Sequence, residues 1–213
     1  ATTWCRGSIA HRGRWPDVRA HPWRWTGLLV LLAAGLAAQP ATRFGHGPLE
    51  VSANHRFLQH KDGTPFFWLG DTSWLLFQQM TRDEVEHYLQ DRQAKGFTVI
   101  QAMVLHTAED RNAYGTPALV DGDPAHPAEL RGHTYGHGYD YWDHVDWVLA
   151  QAARHGLYLA LVPAWGSLVK KGQLNAENVE RYSAWLAARY KSRPNVIWMT
   201  GGDIRGDVHK EVW

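Results

Sequence analysis

Apolar and polar residues alternate in blocks between residues 65 and 200, and the blocks predict strands and helices in turn. Near-continuous apolar runs are typical of parallel strands that are covered on both faces. Four such runs occur, at residues 66–70, 97–104, 157–162 and 195–200. Apolar residues recur at helical spacing between these runs, so the pattern predicts repeated βα units.

Capping residues mark the ends of the predicted helices. Thr81 and Glu84 have the spacing of a capping box, and Gly96 is placed to end the same helix. Asp140 is expected to cap a second helix and Asn175 a third.

A short β-rich segment precedes the first βα unit. Residues 49–67 predict two or three short strands, with a hairpin turn at Asp62-Gly63. We expect this hairpin to pack against the floor of the larger sheet or against a neighbouring sheet.

The βα units favour an α/β fold, either a doubly wound sheet or a (β/α)8 TIM barrel. No Gly-x-Gly-x-x-Gly pattern follows the first strand, which disfavours a dinucleotide-binding fold. Four units cannot close an eight-stranded barrel. Residues 40–213 are therefore interpreted as the N-terminal part of a truncated TIM-barrel catalytic domain, with a complete open sheet of four units as the alternative.

Residues 1–39 differ in composition from the rest of the chain. Five arginines and one acid precede residue 39, and residues 26–38 are uncharged and apolar. This pattern predicts a leader and a secretory signal peptide cleaved near Ala38, and hence a secreted or periplasmic bacterial protein. A buried helix is the alternative. The single cysteine, Cys5, lies in this leader, so we expect the mature chain to contain no disulfide.

The remaining chain is mildly acidic, with 17 basic and 20 acidic residues. This charge gives no indication of a nucleic-acid partner, and no membrane partner is expected after signal cleavage. Twelve tryptophans are a high number for this length. Such rings either fill a core or form surfaces on which sugars stack.

Candidate chemistry lies where the predicted strands end. In α/β barrels the active site is at the carboxyl ends of the strands. The predicted strand ends bring Asp71, Trp74, His106, Trp165 and Asp203 to one rim. The polar segment 105–139 follows the second strand, and connections of this length are usually functional or disordered.

Asp203 is the strongest catalytic candidate. Gly201 and Gly202 precede it and allow an abrupt turn and close approach of a substrate. Glycosidases place two carboxyl groups across the scissile bond, one of them as general acid. We expect Asp203 to be partly buried beside a second carboxylate; a helix-capping aspartate is the alternative.

The other rim residues each have two interpretations. Asp71 either hydrogen-bonds a sugar hydroxyl or caps a short helix through residues 74–77. Trp74 and Trp165 either stack on a sugar or fill the core. His106 either contacts a ligand or is a structural histidine.

Three histidines raise the question of a metal site. His133 and His137 lie in a glycine- and tyrosine-rich loop rather than on a helix, so they share no defined face, and His144 follows later. The sequence therefore predicts no metal ion and no other cofactor.

Several motifs together resemble a known family, the apiosidase-like TIM-barrel family (glycoside hydrolase family 140). The resemblance extends from about Leu49 to Asp203 and covers residues 66–74, 95–101, 112–115 and 198–203. It implies a secreted bacterial enzyme that acts on plant cell-wall pectin and releases apiose-containing side chains of rhamnogalacturonan II. In this family pattern Asp203 is a catalytic carboxylate. Under this hypothesis the sugar would be bound by Asp71, Trp74, Gln101, His106, Tyr114, Trp165 and Gly202.

The resemblance also implies parts that this sequence does not contain. The second catalytic carboxylate of the family is a glutamate from a later strand, and a C-terminal β-sandwich domain is customary. We therefore expect this chain to be inactive alone. The competing hypotheses are a non-catalytic carbohydrate-binding barrel and a metal-dependent hydrolase.

Overall fold

The computed structural model describes residues 43–129, 139–205 and 207–213. The predicted signal peptide, Cys5, His133 and His137 lie outside these residues. A 3-10 turn at Arg43–His46 opens the described chain. The strands are β1 Leu49–Val51, β2 Leu58–His60, β3 Pro65–Phe66, β4 Gly70–Thr72, β5 Val99–Met103, β6 Tyr158–Val162 and β7 Val196–Trp198, and the helices are α1 Leu76–Gln79, α2 Arg82–Ala94, α3 Tyr141–Arg154, α4 Gly166–Lys170 and α5 Val179–Tyr190.

The predicted hairpin region is confirmed as a small antiparallel sheet. Its strands have the order β1-β2-β3, with Leu58 opposite Phe66. The turn between β2 and β3 needs a left-handed residue, and Gly63 supplies it with a φ of 86°. The amide of Gly63 donates to the His60 carbonyl at 2.8 Å, which closes the turn.

The larger sheet is parallel and has the sequential order β4-β5-β6-β7. Side chains from α2, α3 and α5 form one core cluster with Ile100 and Leu159. The opposite face of the sheet packs with the hairpin in a second cluster that contains Phe66, Val99 and Tyr158. Helices on one face and sequential strand order are features of a singly wound barrel-type sheet, whereas a doubly wound sheet has helices on both faces.

The predicted strand at 66–70 is wrong in its boundaries. Phe66 belongs to β3 in the hairpin sheet, while β4 begins only at Gly70. The linking Phe67 is 75% exposed. The Thr98 hydroxyl donates to the Phe67 carbonyl at 2.8 Å and accepts from the Leu69 amide at 2.9 Å, which redirects the chain between the two sheets. Asp71 therefore lies within β4 and not after it.

Two of the three predicted helix caps are confirmed. Thr81 and Glu84 form a reciprocal capping box on α2, and the Asp140 carboxylate accepts from the Trp142 amide at 2.8 Å. The prediction for Asn175 is wrong, because α5 begins at Val179 with Asn178 as its N-cap. Asn175 instead accepts from the amide of Glu177 at 2.9 Å and so stabilises the turn before the helix. The short helix considered for residues 74–77 corresponds to α1, which begins two residues later, at Leu76. The short helix α4 was not predicted.

In the part of the chain that the structure describes, no helix is long and apolar enough to cross a membrane.

His144 is a buried titratable group of α3. It is fully buried, and neither ring nitrogen makes a hydrogen bond of normal geometry with a described residue. Burial and the nearby Arg82 charge lower the pKa of His144 from 6.5 to about 4, and the backbone of Met80 opposes this only in part. The folded protein therefore resists protonation of this ring.

We expect the protein to lose stability as the pH falls from 6.5 to 4. The His144 pKa is lower in the folded state than in the unfolded state, so the unfolded state binds the proton first. The shift corresponds to about 3 kcal/mol of unfolding free energy at full protonation. His144→Leu should flatten this pH dependence in urea unfolding, whereas His87→Leu, at an exposed position on α2, should keep it. An unchanged slope in His144→Leu would refute this assignment.

Candidate active site

The carboxyl ends of β5 and β6 are fixed by two buried tyrosines from the helices. Tyr141 on α3 donates to the Val104 carbonyl at 2.6 Å, and Tyr182 on α5 donates to the Pro163 carbonyl at 2.7 Å. Carbonyls at a buried strand end need such donors because the ladder no longer supplies them. Burial raises the pKa of both hydroxyls well above the ordinary value, so they remain protonated donors.

The segments after β5 and β6 are joined through their backbones. The amide of Trp165 donates to the Leu105 carbonyl at 2.8 Å. The hydroxyl of Ser167 donates to the His106 carbonyl at 3.0 Å. The predicted rim residues His106 and Trp165 therefore lie on adjacent segments at the same end of the sheet.

Trp74 and Trp165 form an aromatic pair at this rim, which we call the tryptophan platform. Their ring centroids are 5.2 Å apart and the rings are tilted by 51°. Both residues are half-buried. The Trp74 carbonyl accepts from the Met103 amide at 2.9 Å, which anchors the platform to β5. The exposed part of these two indole rings is apolar, and such rings can stack on a sugar.

The segment after β7 packs tightly against Trp165. Gly202 has a φ of 142°, and a Cβ at this position would lie 2.7 Å from the Trp165 ring. A Cβ on Gly166 would lie 2.0 Å from the Gly202 carbonyl oxygen. Both positions therefore require glycine for steric reasons.

Asp203 follows this close contact and is exposed, with a φ of 31°. Its carbonyl accepts from Lys170 Nζ at 2.7 Å, which ties the turn to α4. The partial burial that we expected for Asp203 is not found within the described part of the chain. The side chain reaches the surface of the rim.

Gln101 lies on the inner face of the sheet. It is in register with Thr72 on β4 and Ala160 on β6. Gly70 allows it to approach closely, because a Cβ there would lie 3.3 Å from Gln101 Nε2. Gln101 is thus a polar group on the face opposite the helices.

Asp71 faces the helices instead. It is in register with Ile100, a member of the helix-facing core. Its carboxylate pairs with Arg92 of α2 and accepts from the Tyr88 hydroxyl at 2.9 Å. Burial acts to raise the pKa of Asp71, but the hydrogen bonds from Arg92 and Tyr88 lower it overall. The structure therefore separates Asp71 from Gln101, and Asp71 does not cap a helix, because α1 starts at Leu76 without a side-chain cap.

Tyr114 has different neighbours from the tryptophan platform. Its hydroxyl accepts from the Arg82 amide at 2.8 Å at the start of α2. Its ring contacts Tyr139 edge-on at 5.0 Å and His144 at 5.6 Å. The contacts of Tyr114 are thus with the helix layer.

Two polar residues beneath the rim were missed in the sequence. Asp110 is 8% exposed and accepts hydrogen bonds from His106, Thr107 and Gln78. The Thr-x-x-Asp spacing of Thr107 and Asp110 is a local signal that could have indicated a hydrogen-bonded turn. Nothing local indicates the contribution of Gln78, which comes from a helix 32 positions away.

Among the described residues, no group of three or more His, Cys, Asp and Glu side chains is arranged to hold a metal ion.

The parallel sheet with its helices on one face defines an α/β architecture of the barrel type, and similar solved structures support this class. The chain is similar to a glycoside hydrolase with 42% identity and a TM-score of 0.73, covering 80% of this chain and 37% of that one. It is also similar to a family 5 glycoside hydrolase from Bacteroides vulgatus, with 40% identity and a TM-score of 0.73, covering 80% and 36%. The family model for the apiosidase-like catalytic domain matches residues 52–213, and the chain belongs to this family.

More distant structures share only the fold with this chain. An endo-1,4-beta-mannanase from Rhizomucor miehei, at 14% identity and a TM-score of 0.52, shares the fold over 74% of this chain and 49% of that one. No curated protein matches the chain. The chain spans 37% and 36% of the lengths of the two glycoside hydrolases with 42% and 40% identity.

Gly202→Ala should destabilise the protein more than Gly201→Ala. Both glycines have a positive φ, but a Cβ on Gly201 meets nothing within 4 Å, whereas one on Gly202 meets the Trp165 ring. We expect backbone strain to cost about 1 kcal/mol in each variant, with a further 1–3 kcal/mol, roughly, in Gly202→Ala from the ring contact. Denaturant unfolding measures the difference, and tryptophan fluorescence should change only in Gly202→Ala. Equal costs would contradict this packing.

Asp71→Asn should lower stability without changing any binding of sugar. The substitution removes the charge that pairs with Arg92 on the helix side of β4. A loss of about 1 kcal/mol is expected in urea unfolding at pH 7. The loss should shrink as the pH falls through the carboxyl range, since the folded-state pKa is lowered and the contribution exists only above it. Asp91→Asn, which removes the more exposed partner of Arg92, is the control and should cost less. Weaker sugar binding in Asp71→Asn would contradict this prediction and would show that Asp71 contributes to sugar binding.

Proposed function

We propose that this chain forms part of a glycoside hydrolase that cleaves O-glycosidic bonds in plant cell-wall pectic polysaccharide. The proposal rests mainly on the arrangement of residues at the rim. Asp203 follows Gly201 and Gly202 beside the tryptophan platform, at the carboxyl ends of a parallel sheet, in a chain of the apiosidase-like family. Stacking rings next to an exposed carboxyl group are suited to holding a sugar and protonating its leaving oxygen.

In the proposed mechanism Asp203 acts as general acid. Its carboxyl proton passes to the glycosidic oxygen as the bond from that oxygen to the anomeric carbon breaks. A second carboxylate, which the family pattern places on a later strand, assists either as nucleophile or as base for a water molecule. The Trp74 and Trp165 rings orient the sugar, and Gln101 and His106 provide polar groups for its hydroxyls.

The substrate class and the location of the enzyme are the finer parts of the proposal. The family is described as apiosidase-like, which supports an apiose-containing substrate. Side chains of rhamnogalacturonan II are the form of that substrate that the sequence resemblance implies. The basic and then apolar sequence before residue 39 supports secretion or periplasmic export, where such polymers are met.

Asp203→Asn should abolish the release of reducing sugar from pectic oligosaccharides. Asparagine keeps the size of the side chain but has no acidic proton, so a fall of about 100-fold or more is expected. The assay is run on this chain and on the same chain extended along its reading frame. Asp207→Asn is the matched control, because Asp207 is also exposed and, among the described residues, forms an ion pair with the neighbouring Arg205.

The outcomes separate the competing functions. Hydrolysis that survives Asp203→Asn would overturn the catalytic assignment. Sugar binding without hydrolysis in the extended chain would instead favour a non-catalytic carbohydrate-binding barrel. Activity that chelators abolish would favour the metal-dependent hydrolase.

A further inference from the structure

We propose that Asp110 is a positioning residue that holds the tryptophan platform in its sugar-binding arrangement. This inference rests on the proposed function. Asp110 is only 8% exposed and lies just beyond the carboxyl end of β5. A buried carboxylate is costly unless donors satisfy it, so the identity of its donors indicates what it holds in place.

Among the described residues, Asp110 accepts from four donor groups, which lie just after β5 or on α1. Oδ2 accepts from the His106 amide at 2.5 Å and from Gln78 Nε2 at 3.1 Å. Oδ1 accepts from the Thr107 amide at 3.1 Å and from the Thr107 hydroxyl at 2.8 Å. The carboxylate thus fixes two successive backbone amides immediately after the strand.

The peptide segment that Asp110 fixes is the same segment that holds Trp165. The Leu105 carbonyl accepts from the Trp165 amide at 2.8 Å, and the His106 carbonyl accepts from the Ser167 hydroxyl at 3.0 Å. Asp110 therefore accepts from amides of this segment, while the segment after β6 donates to its carbonyls. A shift of residues 105–107 would carry the Trp165 ring away from Trp74.

Residues of the helix layer also hold the Asp110 carboxylate in place. Gln78 Nε2 also donates to the Tyr141 hydroxyl at 3.0 Å, and that hydroxyl donates to the Val104 carbonyl at 2.6 Å. Besides burial, the negative charge of Asp110 raises the pKa of Tyr141, which keeps the tyrosine a donor. The network is continuous from α3 through Asp110 to the backbone of the rim.

A spectroscopic signature distinguishes positioning from simple stabilisation. Two tryptophans 5.2 Å apart couple excitonically, and the coupling depends on their separation and angle. The difference in circular dichroism between the unmodified chain and Trp165→Phe assigns the signal of the Trp74–Trp165 pair. Among the described residues, Trp142 and Trp185 form another close pair at 4.5 Å. None of the variants changes these two residues, so their signal should be the same in each and should cancel.

The control is a second buried polar group at the other end of the sheet. Asn195 is 1% exposed, and its amide donates to the Leu149 carbonyl at 2.9 Å, just before β7. Asn195→Ala should lower the Tm to a similar extent as Asp110→Ala, because each leaves buried groups unpaired. It should leave the rim unchanged.

We expect Asp110→Ala to lose most of the Trp74–Trp165 signal and to weaken binding of pectic oligosaccharide, followed by tryptophan fluorescence, by about 10- to 100-fold. Asp110→Asn keeps one acceptor oxygen and should show an intermediate loss of both. Asn195→Ala should retain both readouts. If Asp110→Ala fails to fold, Asp110→Asn and Ser167→Ala test the same connection, and each should reduce the signal.

An unchanged pair signal in the foldable Asp110 variants would overturn the proposal. So would an equal loss in Asn195→Ala, since that would show only general loosening of the fold. If the unmodified chain binds no pectic oligosaccharide, the proposed function fails, while the pair signal still decides the positioning role of Asp110.

Discussion

The carboxyl ends of β5 and β6 leave the sheet at buried or partly buried positions, where the next carbonyls no longer have ladder partners. Unpaired carbonyls in such a place would cost free energy comparable to lost hydrogen bonds. Tyr141 and Tyr182 satisfy them with hydroxyls from α3 and α5. The helices therefore set the level at which the two strands end, and this level determines where the rim begins.

The rim depends on backbone contacts and on the absence of side chains. The segments after β5 and β6 are hydrogen-bonded to each other directly, because the Trp165 amide donates to the Leu105 carbonyl. This bond fixes the backbone of Trp165. Gly166 and Gly202 then let the segment after β7 lie against that ring at a distance no other residue allows. The position of Asp203 is thus a consequence of two missing Cβ atoms and of the bond from Lys170 to its carbonyl.

Local signals predicted the parts of this fold that have local causes. The capping box at Thr81 and the cap at Asp140 depend on residues two or three positions apart, and both were predictable. The apolar run at 66–70 was misassigned because hydrophobicity does not tell which of two sheets a residue joins. The direction of Asp71 could not be predicted, since it depends on the register of β4 with β5. The same holds for Asp110, whose burial requires helices that lie more than 30 positions away in sequence.

Asp71, Asp110 and Asp203 lie near one end of the sheet, and each carboxylate has a different environment. These environments determine which of the three is suited to proton transfer. Asp71 is paired with Arg92 on the helix side, and both oxygens of Asp110 are taken by fixed donors. A carboxyl group that already accepts hydrogen bonds from fixed donors is poorly placed to pass a proton to a leaving oxygen. The exposed Asp203 carboxylate makes no hydrogen bond or ion pair with a described residue. Its exposure differs from the burial that we expected, yet an uncommitted carboxyl group beside a stacking surface is what the proposed general acid requires before substrate and a second carboxylate enclose it.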